Sequence, residues 1–444
     1  MTPETAATSD GPLAALRPLR DQDHPRGIVS VCSAHPMVIE AALRHARARG
    51  THALIEATCN QVNQDGGYTG MTPADFRDFV FAIAGRIGLP PARIILGGDH
   101  LGPNPWRHLP PDDAMARAGD MIAAYVRAGF RKLHLDASMG CRGEPAHLPD
   151  AIVAQRAARL AARAETQGQV TPGRITPGQT GPLYVIGTEI PTPGGATEAL
   201  DHLAPTAPDA ALATWRIHQA AFAQHAPAAW SRVLGLVVQP GVEFGHDDVA
   251  IYRPDRARAL SATLDHMPGL VFEAHSTDYQ PDAALASLVR DGFAILKVGP
   301  ELTFALREAL YGLDAMSGFL HPGAPSLRDT MERLMLAAPA HWAGHYPGAP
   351  DAQHLLRHFS YSDRIRYYWP TAEAGAAVQA LRARLSSAPL PPTLVSQYLP
   401  RLYDRVRSGA LPATPDALLL QAVGDVLDRY GHAAGDPPAK EERQ

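Results

Sequence analysis

The stretch Arg93-Ile-Ile-Leu-Gly-Gly-Asp-His-Leu-Gly-Pro-Asn104 sets a pattern that much of the chain repeats. Its apolar run, Ile94 to Leu96, predicts a buried strand, and two glycines mark the end of that strand. Asp99 and His100 follow at the point where the strand would leave a sheet. A carboxylate beside an imidazole at a strand end suits proton transfer and metal binding.

The same pattern, a short β-prone run followed by a segment with helical spacing, occurs eight times along the chain. Strands that alternate with helices predict a parallel sheet, and eight such units predict an α/β fold of the (β/α)8 TIM-barrel type. The predicted strands are 28–32, 53–57, 93–97, 132–136, 183–187, 233–238, 270–274 and 294–298. The predicted helices are 37–49, 72–87, 112–128, 150–167, 210–225, 255–265, 281–291 and 301–312.

The strand pattern stops near residue 312, which suggests a division of the chain into four parts. Residues 1–24 are expected to form a flexible N-terminal arm and residues 25–312 the barrel. Residues 313–434 predict a C-terminal helical extension packed on the barrel, with helices at 326–337, 371–385 and 415–430. Residues 435–444 are expected to be a disordered tail.

Composition excludes several classes of protein. The 444 residues have 45% hydrophobic content, a net charge of -5 and a pI near 6.5, and their basic residues are scattered, so nucleic acid is not an expected partner. The three cysteines show no CxxC spacing, which suits a reducing compartment, and no apolar stretch approaches membrane-spanning length. We therefore expect a cytoplasmic protein. Neither nucleotide motif, Gly-x-Gly-x-x-Gly or Gly-x-x-x-x-Gly-Lys-Ser/Thr, follows a predicted strand.

Polar side chains collect at the ends of the predicted strands, where the active sites of TIM barrels lie. Charged groups buried there are costly unless they are paired or bound to a metal, so the sequence predicts a divalent metal site beneath a polar substrate. These residues are Glu56, Asn60, Gln61, Asp99, His100, Asp136, Glu189, Gln239, Glu243, Glu273, His275, Ser276, Thr277, Asp278 and Lys297.

Structural alternatives remain for several of these residues. Asp136 would cap the following helix, Glu56 and Lys297 would form an ion pair inside the barrel, and the Asn/Gln run after strand two would be turn chemistry. His134 lies two residues before Asp136 and would also point inward, as a hydrogen-bonded interior histidine rather than a further ligand.

Long motifs in this chain resemble one known family, that of the non-catalytic subunits of class II D-tagatose-1,6-bisphosphate aldolase. The resemblance extends from about residue 27 to 430 and implies a sugar or sugar-phosphate ligand and a class II aldolase subunit as a partner, with self-association left open. The family also includes 4-epimerases of D-tagatose 6-phosphate and related ketohexoses. The motifs are Ser33-Ala-His-Pro36, Asn60-Gln-Val-Asn-Gln64, Gly66-Gly-Tyr-Thr-Gly70, Gly97-Gly-Asp-His-Leu-Gly-Pro-Asn104, His134-Leu-Asp-Ala-Ser138, Gln239-Pro-Gly-Val-Glu-Phe244, Glu273-Ala-His-Ser-Thr-Asp-Tyr279, Leu296-Lys-Val-Gly-Pro300 and Ser362-Asp-Arg-Ile-Arg-Tyr-Tyr-Trp-Pro370.

A more distant similarity to the catalytic class II aldolases implies roles for individual residues. By this resemblance Asp99 shuttles the substrate proton, His100, His275 and Glu189 hold the metal, and Ser276 or Thr277 contacts a phosphate or hydroxyl. Zinc is the implied ion, with Mn2+, Co2+, Ni2+ and Mg2+ as alternatives. Where those aldolases have a further zinc-binding histidine on strand six, this chain has Gln239 and Glu243.

The chemistry of a ketohexose narrows the choice of function. The hydrogen on C4 is not adjacent to the C2 carbonyl, so 4-epimerisation needs either a bound nicotinamide or retro-aldol cleavage of the C3–C4 bond followed by re-addition. The second route needs a metal and a base, which this chain offers. The leading hypothesis is therefore a metal-dependent 4-epimerase that interconverts D-tagatose 6-phosphate and D-fructose 6-phosphate.

The predicted site divides into three sets of residues. Asp99, Glu189 and Glu243 would carry the chemistry. His100 and His275 would hold the metal together with Glu189, or with Glu243 as the alternative third ligand. The predicted substrate-binding residues are Asn60, Gln61, Asp136, Gln239, Ser276, Thr277, Lys297, Arg364 and Arg366. The alternatives are a non-catalytic subunit that stabilises an aldolase, or a 4-epimerase of a free ketohexose or hexuronate, for which Arg364 and Arg366 would recognise a carboxylate instead of a phosphate.

Overall fold

The structure, a computed structural model, describes residues 11–16, 25–170, 181–188 and 203–439. Eight parallel strands form a closed barrel in chain order, and the last strand pairs with the first, which confirms the predicted (β/α)8 barrel. A short antiparallel hairpin, β7 and β8, lies between the sixth and seventh barrel strands and was not predicted. The strands are β1 (Ile28–Cys32), β2 (Ala53–Thr58), β3 (Ile94–Leu101), β4 (Lys132–Leu135), β5 (Leu183–Ile186), β6 (Val233–Val237), β7 (Glu243–Phe244), β8 (Val249–Ala250), β9 (Val271–Ala274) and β10 (Ile295–Val298).

Helices surround the barrel and continue into the extension. Most begin with proline in the first turn, where its missing N–H is not needed. The helices are α1 (Gly11–Ala14), α2 (Pro36–Arg49), α3 (Pro73–Ile87), α4 (Pro111–Arg127), α5 (Asp150–Val170), α6 (Pro208–His225), α7 (Pro227–Trp230), α8 (Pro254–Ala262), α9 (Asp282–Arg290), α10 (Pro300–Leu320), α11 (Leu327–Ala337), α12 (Pro350–Phe359), α13 (Ala372–Leu385), α14 (Pro392–Tyr398), α15 (Pro400–Arg407) and α16 (Pro415–Ala433).

Two features of the extension differ from the prediction. Helix α10 continues to Leu320 because Leu313 and Met316 maintain its buried face beyond the predicted end at residue 312. Helices α12, α14 and α15 were missed, and each begins at a proline. Prolines interrupt a helical pattern and therefore predict separators between helices, but a proline also fits the first helical position.

Part of the expected N-terminal arm packs against the barrel. Leu13 and Leu16 are each 3% exposed and contact a cluster of apolar side chains from the strands. Residues 11–16 therefore depart from the expectation of a loose arm, because these two leucines bury apolar surface that the barrel leaves open. The rest of that predicted arm, residues 1–10 and 17–24, lies outside the described residues.

The last helix joins the extension to the side of the barrel where the strands end. Helix α16 packs on α2, α9 and α10. Its Tyr430 hydroxyl donates to the carbonyl of Thr277 at 2.6 Å, and its Arg429 pairs with Glu301 at 2.8 Å. These contacts hold the loop after β9 and the start of α10 in place. No helix in the described part of the chain is long and apolar enough to cross a bilayer.

Candidate active site

A cavity of about 380 Å³ lies at the carboxyl ends of the barrel strands. One part of its lining comes from the strand ends and the loops after them, and another part comes from the extension. The strand-end residues that line it include Cys32, Asn60, Gln61, Tyr68, Asp99, His100, Asp136, Phe244, His275, Ser276, Asp278 and Lys297. The residues from the extension include Arg366, Tyr367, Trp369, Val378, Gln379 and Arg382.

The glycine pair before Asp99 allows side chains to pack closely on both faces of β3. A Cβ atom on Gly97 would lie 2.7 Å from the Glu56 side chain, and one on Gly98 would lie 2.8 Å from the ring of Tyr125. The pairing of β3 with β4 shifts in register just beyond these glycines, and His100 adopts a φ of 47°. Backbone strain of this kind concentrates at functional sites, and here it orients the imidazole of His100.

Three histidines and one carboxylate form a buried cluster at this point. The ring centroids of His100, His134 and His275 lie 4.9 to 5.2 Å apart. Together with Asp99 they offer four ligand atoms that all lie within 4.8 Å of one another. Nitrogen and oxygen donors at such spacing could hold a divalent metal ion.

Hydrogen bonds fix the orientation of each histidine. His100 Nδ1 lies 2.8 Å from Asp136 Oδ2, while His100 Nε2 lies 3.7 Å from Asp99 Oδ2. His275 Nε2 lies 2.9 Å from a carboxylate oxygen of Glu273. Carboxylates that hold the second nitrogen of a histidine in this way are characteristic of metal-binding histidines.

His134 is held on both of its ring nitrogens. Its Nε2 donates to the carbonyl oxygen of Gly187 at 3.0 Å, and its Nδ1 lies 3.0 Å from Asp99 Oδ1. This geometry agrees with the expected hydrogen-bonded interior histidine. Only Nδ1 faces the cluster. If His134 bound a metal through this atom, it would lose its contact with Asp99 Oδ1.

A chain of ion pairs runs beneath the cluster. Lys132 Nζ lies 2.6 Å from Glu56 Oε1 and 2.7 Å from Glu273 Oε2, and all three side chains are fully buried. Lys297 Nζ lies 2.8 Å from Glu56 Oε2 and also pairs with Asp99. The structural alternative of a Glu56–Lys297 pair is therefore observed, as part of a larger network that reaches the cavity.

Charge and burial set the protonation states. Burial alone would raise the pKa of Asp99, but His100, Lys297 and His134 together hold it well below its usual value. Burial lowers the pKa of His275 to about 3, against the opposing hydrogen bond with Glu273. At pH 7 Asp99 is therefore ionised and His275 is neutral, the forms in which a carboxylate and an imidazole bind metals.

Two further carboxyl groups near the cavity have raised pKa values. Burial raises the pKa of Glu243 to about 7, although hydrogen bonds with Phe244 and Ser276 oppose the shift. Burial and the neighbouring Glu301 raise the pKa of Asp278 to about 7. Asp278 Oδ1 accepts hydrogen bonds from the backbone N–H groups of Gly299 and Glu301 at 3.0 and 2.8 Å, so a carboxyl group already occupies the N-terminus of α10.

The structure brings most of the predicted site residues to one cavity. Those that line it are Asn60, Gln61, Asp99, His100, Asp136, His275, Ser276, Lys297 and Arg366. The Asn/Gln segment after β2 also forms a turn, as the structural alternative predicted, because Gln61 Oε1 accepts a hydrogen bond from the backbone N–H of Thr58 at 2.8 Å. Asp136 does not cap the following helix, which begins at Asp150; its carboxylate contacts His100 Nδ1 and accepts a hydrogen bond from the backbone N–H of Ser138.

Other predicted residues lie away from the cavity lining. Gln239 Oε1 accepts the N–H groups of Gly241 and Val242, and Thr277 donates to the carbonyl of Lys297, so both side chains are occupied in holding loops. Arg364 donates to the carbonyl of His341 outside the cavity. Glu243 is buried and does not line the cavity, but it hydrogen-bonds with Ser276, which does. Glu189 lies outside the described residues.

Several residues of the cavity lining and of the ion-pair network are absent from the set predicted from the sequence. Lys132 lies two residues before His134, so strand alternation places both inside the barrel, and this signal was available. Tyr68 and Tyr367 lie in motifs that were recognised as whole segments, without a role for the tyrosines. Cys32 ends β1, and its Sγ lies 3.6 Å from Asp99 Oδ2.

Comparison with known proteins finds relatives that match almost the whole chain. The family model described as D-tagatose-1,6-bisphosphate aldolase subunit GatZ/KbaZ-like matches residues 13–435. A D-tagatose 6-phosphate 4-epimerase from Agrobacterium fabrum is 54% identical over 427 residues, which cover 96% of this chain and 98% of that protein. A crystal structure from Sinorhizobium meliloti 1021, named a probable tagatose 6 phosphate kinase, is 56% identical with a TM-score of 0.85, and the match covers 92% of this chain and 100% of that one. The chain therefore belongs to the GatZ/KbaZ-like family of D-tagatose-1,6-bisphosphate aldolase subunits.

Proposed function

We propose that this chain is a 4-epimerase that interconverts D-tagatose 6-phosphate and D-fructose 6-phosphate by retro-aldol cleavage and re-addition. The observation that carries the proposal is the buried cluster of Asp99, His100 and His275 beside Lys297 at the edge of a cavity of sugar size. The name and the 54% identity of the Agrobacterium fabrum relative support it. An epimerase is favoured over a kinase because the cavity holds proton-transfer groups, while the sequence carries neither nucleotide-binding motif.

The donor set fits a divalent cation. His100 and His275 supply nitrogen ligands, and Asp136 and Glu273 orient these two histidines. The network has four carboxylates, Glu56, Asp99, Asp136 and Glu273, and two ammonium groups, Lys132 and Lys297. A divalent cation would balance the two excess negative charges. Bound there, a divalent cation would polarise the C2 carbonyl and stabilise the negative charge that develops when the C3–C4 bond breaks.

Asp99 is the proposed base for the C4 hydroxyl. It is ionised at neutral pH, it lines the cavity, and Lys297 and His134 hold its two oxygens in place. Replacement by Asn keeps the size of the side chain and removes the negative charge that accepts a proton. We expect Asp99→Asn to abolish turnover, and full activity in that variant would remove Asp99 from the mechanism.

Arg366 is the proposed contact for the phosphate. The N-terminus of α10, after the eighth barrel strand, lies where phosphate often binds in TIM barrels, but the Asp278 carboxyl group occupies it here. Arg366 lines the cavity from the extension and carries a permanent positive charge. A sugar whose ketone lies at the metal cluster would direct its phosphate towards this arginine.

The test is to incubate the purified chain with D-tagatose 6-phosphate and to follow the product by carbon-13 NMR, with and without a chelator. Formation of D-fructose 6-phosphate that stops on chelation supports a metal-dependent epimerase. The family description favours a second candidate, a non-catalytic aldolase subunit. That role predicts no conversion by the chain alone with any divalent ion, and a gain in activity or stability of a class II aldolase when the chain is added.

A further inference from the structure

The segment from Ser362 to Tyr367 is held rigidly against the barrel. Asp363 is buried and adopts a φ of 46°. Its carboxylate accepts hydrogen bonds from Thr303 Oγ1 at 2.6 Å and from Arg307 Nε at 3.3 Å, both on α10. Because α10 starts directly after the eighth barrel strand, these bonds fix the turn that follows, Arg364–Tyr367, relative to the strand ends. The position of Tyr367 in the cavity lining is therefore set by the core of the protein.

The phenol of Tyr367 lies in an unusually cationic environment. Arg366 donates to its hydroxyl at 3.1 Å, and the guanidinium carbons of Arg364 and Arg366 lie 5.1 and 4.6 Å from its ring centroid. The ring stacks on His341 at 5.0 Å and meets the edge of Tyr68 at 5.1 Å. Two fixed positive charges beside a phenol stabilise its ionised form.

The pKa of Tyr367 agrees with this geometry. Burial alone would raise it, but the positive charges of Arg366 and Arg364 lower it overall. The other titratable groups that face the phenol are Tyr68 from the loop after β2, His341, and Cys32 at the end of β1. A phenol with a lowered pKa exchanges its proton more readily near neutral pH.

Epimerisation at C4 by this route needs a second acid/base group besides Asp99. In the first half of the reaction Asp99 takes the proton of the C4 hydroxyl, C4 becomes an aldehyde carbon, and the C3–C4 electron pair moves into the enediolate of the other fragment. The aldehyde then turns by half a rotation about C4–C5. When C3 attacks the opposite face, the electrons of the C4 carbonyl return to O4, which now points away from Asp99 and needs a proton from another side.

We propose that Tyr367 is the second acid/base residue of the reaction, the group that protonates O4 after the aldehyde has turned. This role rests on the proposed function. Tyr367 comes from the extension, whereas Asp99 comes from a strand end, so the two groups reach the substrate from separate parts of the cavity lining. The arginine that donates to its hydroxyl is the proposed phosphate contact, which keeps the phenol close to the fragment that rotates. In the reverse direction the two residues exchange roles, and solvent returns the proton from one to the other.

Two variants test this role. Tyr367→Phe removes the hydroxyl and keeps the ring that packs on His341 and Tyr68, so we expect kcat to fall about 100- to 10,000-fold with little change in KM. The matched control is Tyr368→Phe, because the neighbouring Tyr368 hydroxyl donates to the carbonyl of Ala338 at 2.5 Å and does not line the cavity. The control should retain wild-type kcat.

A second measurement separates proton transfer from a structural contribution. Fluorination lowers the pKa of a phenol, so Tyr367→3-fluorotyrosine should move one limb of the kcat pH profile to lower pH in both reaction directions. The same change at Tyr368 should leave the profile in place. Wild-type kcat in Tyr367→Phe, or an unmoved profile in the fluorinated enzyme, overturns the proposal. If the wild-type chain forms no epimer, the proposed function itself fails, which is a different result.

Discussion

Lys132 is the residue whose replacement tests the buried charge network most directly. Its ammonium group is fully buried and lies 2.6 and 2.7 Å from Glu56 and Glu273. Lys132→Met keeps a similar volume but leaves these carboxylates with one partner fewer. Glu56 retains Lys297, while Glu273 retains only His275. Removal of one partner from a buried ion pair typically costs about 3 to 5 kcal/mol, and we expect a loss of that order.

The loss should depend on pH in a defined direction. Burial raises the pKa of Glu273, and Lys132 is the main group that lowers it below the ordinary value of 4.5. Without Lys132 we expect burial to outweigh the remaining partners and the folded-state pKa of Glu273 to rise above its value in the unfolded chain. The variant then binds an extra proton when folded, so its stability is retained at low pH and declines as the pH rises through the raised pKa. The stability gap from wild type should therefore be smaller at pH 5 than at pH 8.

Denaturant unfolding at several pH values measures this effect. The matched control is Arg163→Met, because Arg163 and Asp120 form an ion pair whose side chains are 43% and 61% exposed. An exposed pair of this kind contributes about 0 to 1 kcal/mol. A Lys132→Met loss no larger than that of the control, or a loss that does not change between pH 5 and pH 8, would refute the account of the network.

Three further perturbations have defined outcomes. Gly97→Ala places a Cβ atom 2.7 Å from Glu56 and should lower the free energy of unfolding by about 1 to 3 kcal/mol in thermal unfolding, with reduced turnover. The control Gly85→Ala, whose Cβ meets nothing within 4 Å, should be neutral or stabilising. Leu16→Ala should cost about 2 to 5 kcal/mol and leave kcat unchanged, and unchanged stability would show that the N-terminal segment does not close the barrel. The pKa of Asp278 is raised from 3.8 to about 7 in the folded protein, so stability should fall as the pH rises through that range. Asp278→Asn should flatten this decline. An unaltered pH dependence of unfolding would contradict the raised pKa of Asp278.

The inside of this barrel is built in two layers with different chemistry. Apolar side chains such as Leu54, Ile95 and Val185 fill one layer and meet Leu13 and Leu16. The other layer consists of paired lysines and carboxylates that lead into the histidine cluster. Such pairs offer little net stability, since desolvation offsets their attraction. Their presence next to the cavity is better explained by the need to hold Asp99 and the histidines in defined protonation states.

The amino-acid sequence by itself determined the barrel and the position of its polar residues. Strand alternation and β/α periodicity are local properties, so they predicted the eight strands within a few residues, apart from β3, which continues through Asp99 and His100 to Leu101. The same reasoning placed Asp99, His100, His275 and Lys297 together, because the carboxyl ends of parallel strands meet at one end of a barrel.

Only the tertiary structure decided which polar residues face the cavity and what charge they carry. Gln239, Thr277 and Asp99 all lie near the carboxyl ends of strands. The first two side chains are occupied by loop hydrogen bonds, and of the three only Asp99 pairs with the ammonium group of Lys297. The position of Tyr367 in the cavity lining depends on an extension that returns to the barrel from far along the chain. Packing in three dimensions brings together side chains that are distant in sequence, buries them and so sets their pKa values. No local pattern of residues specifies these properties.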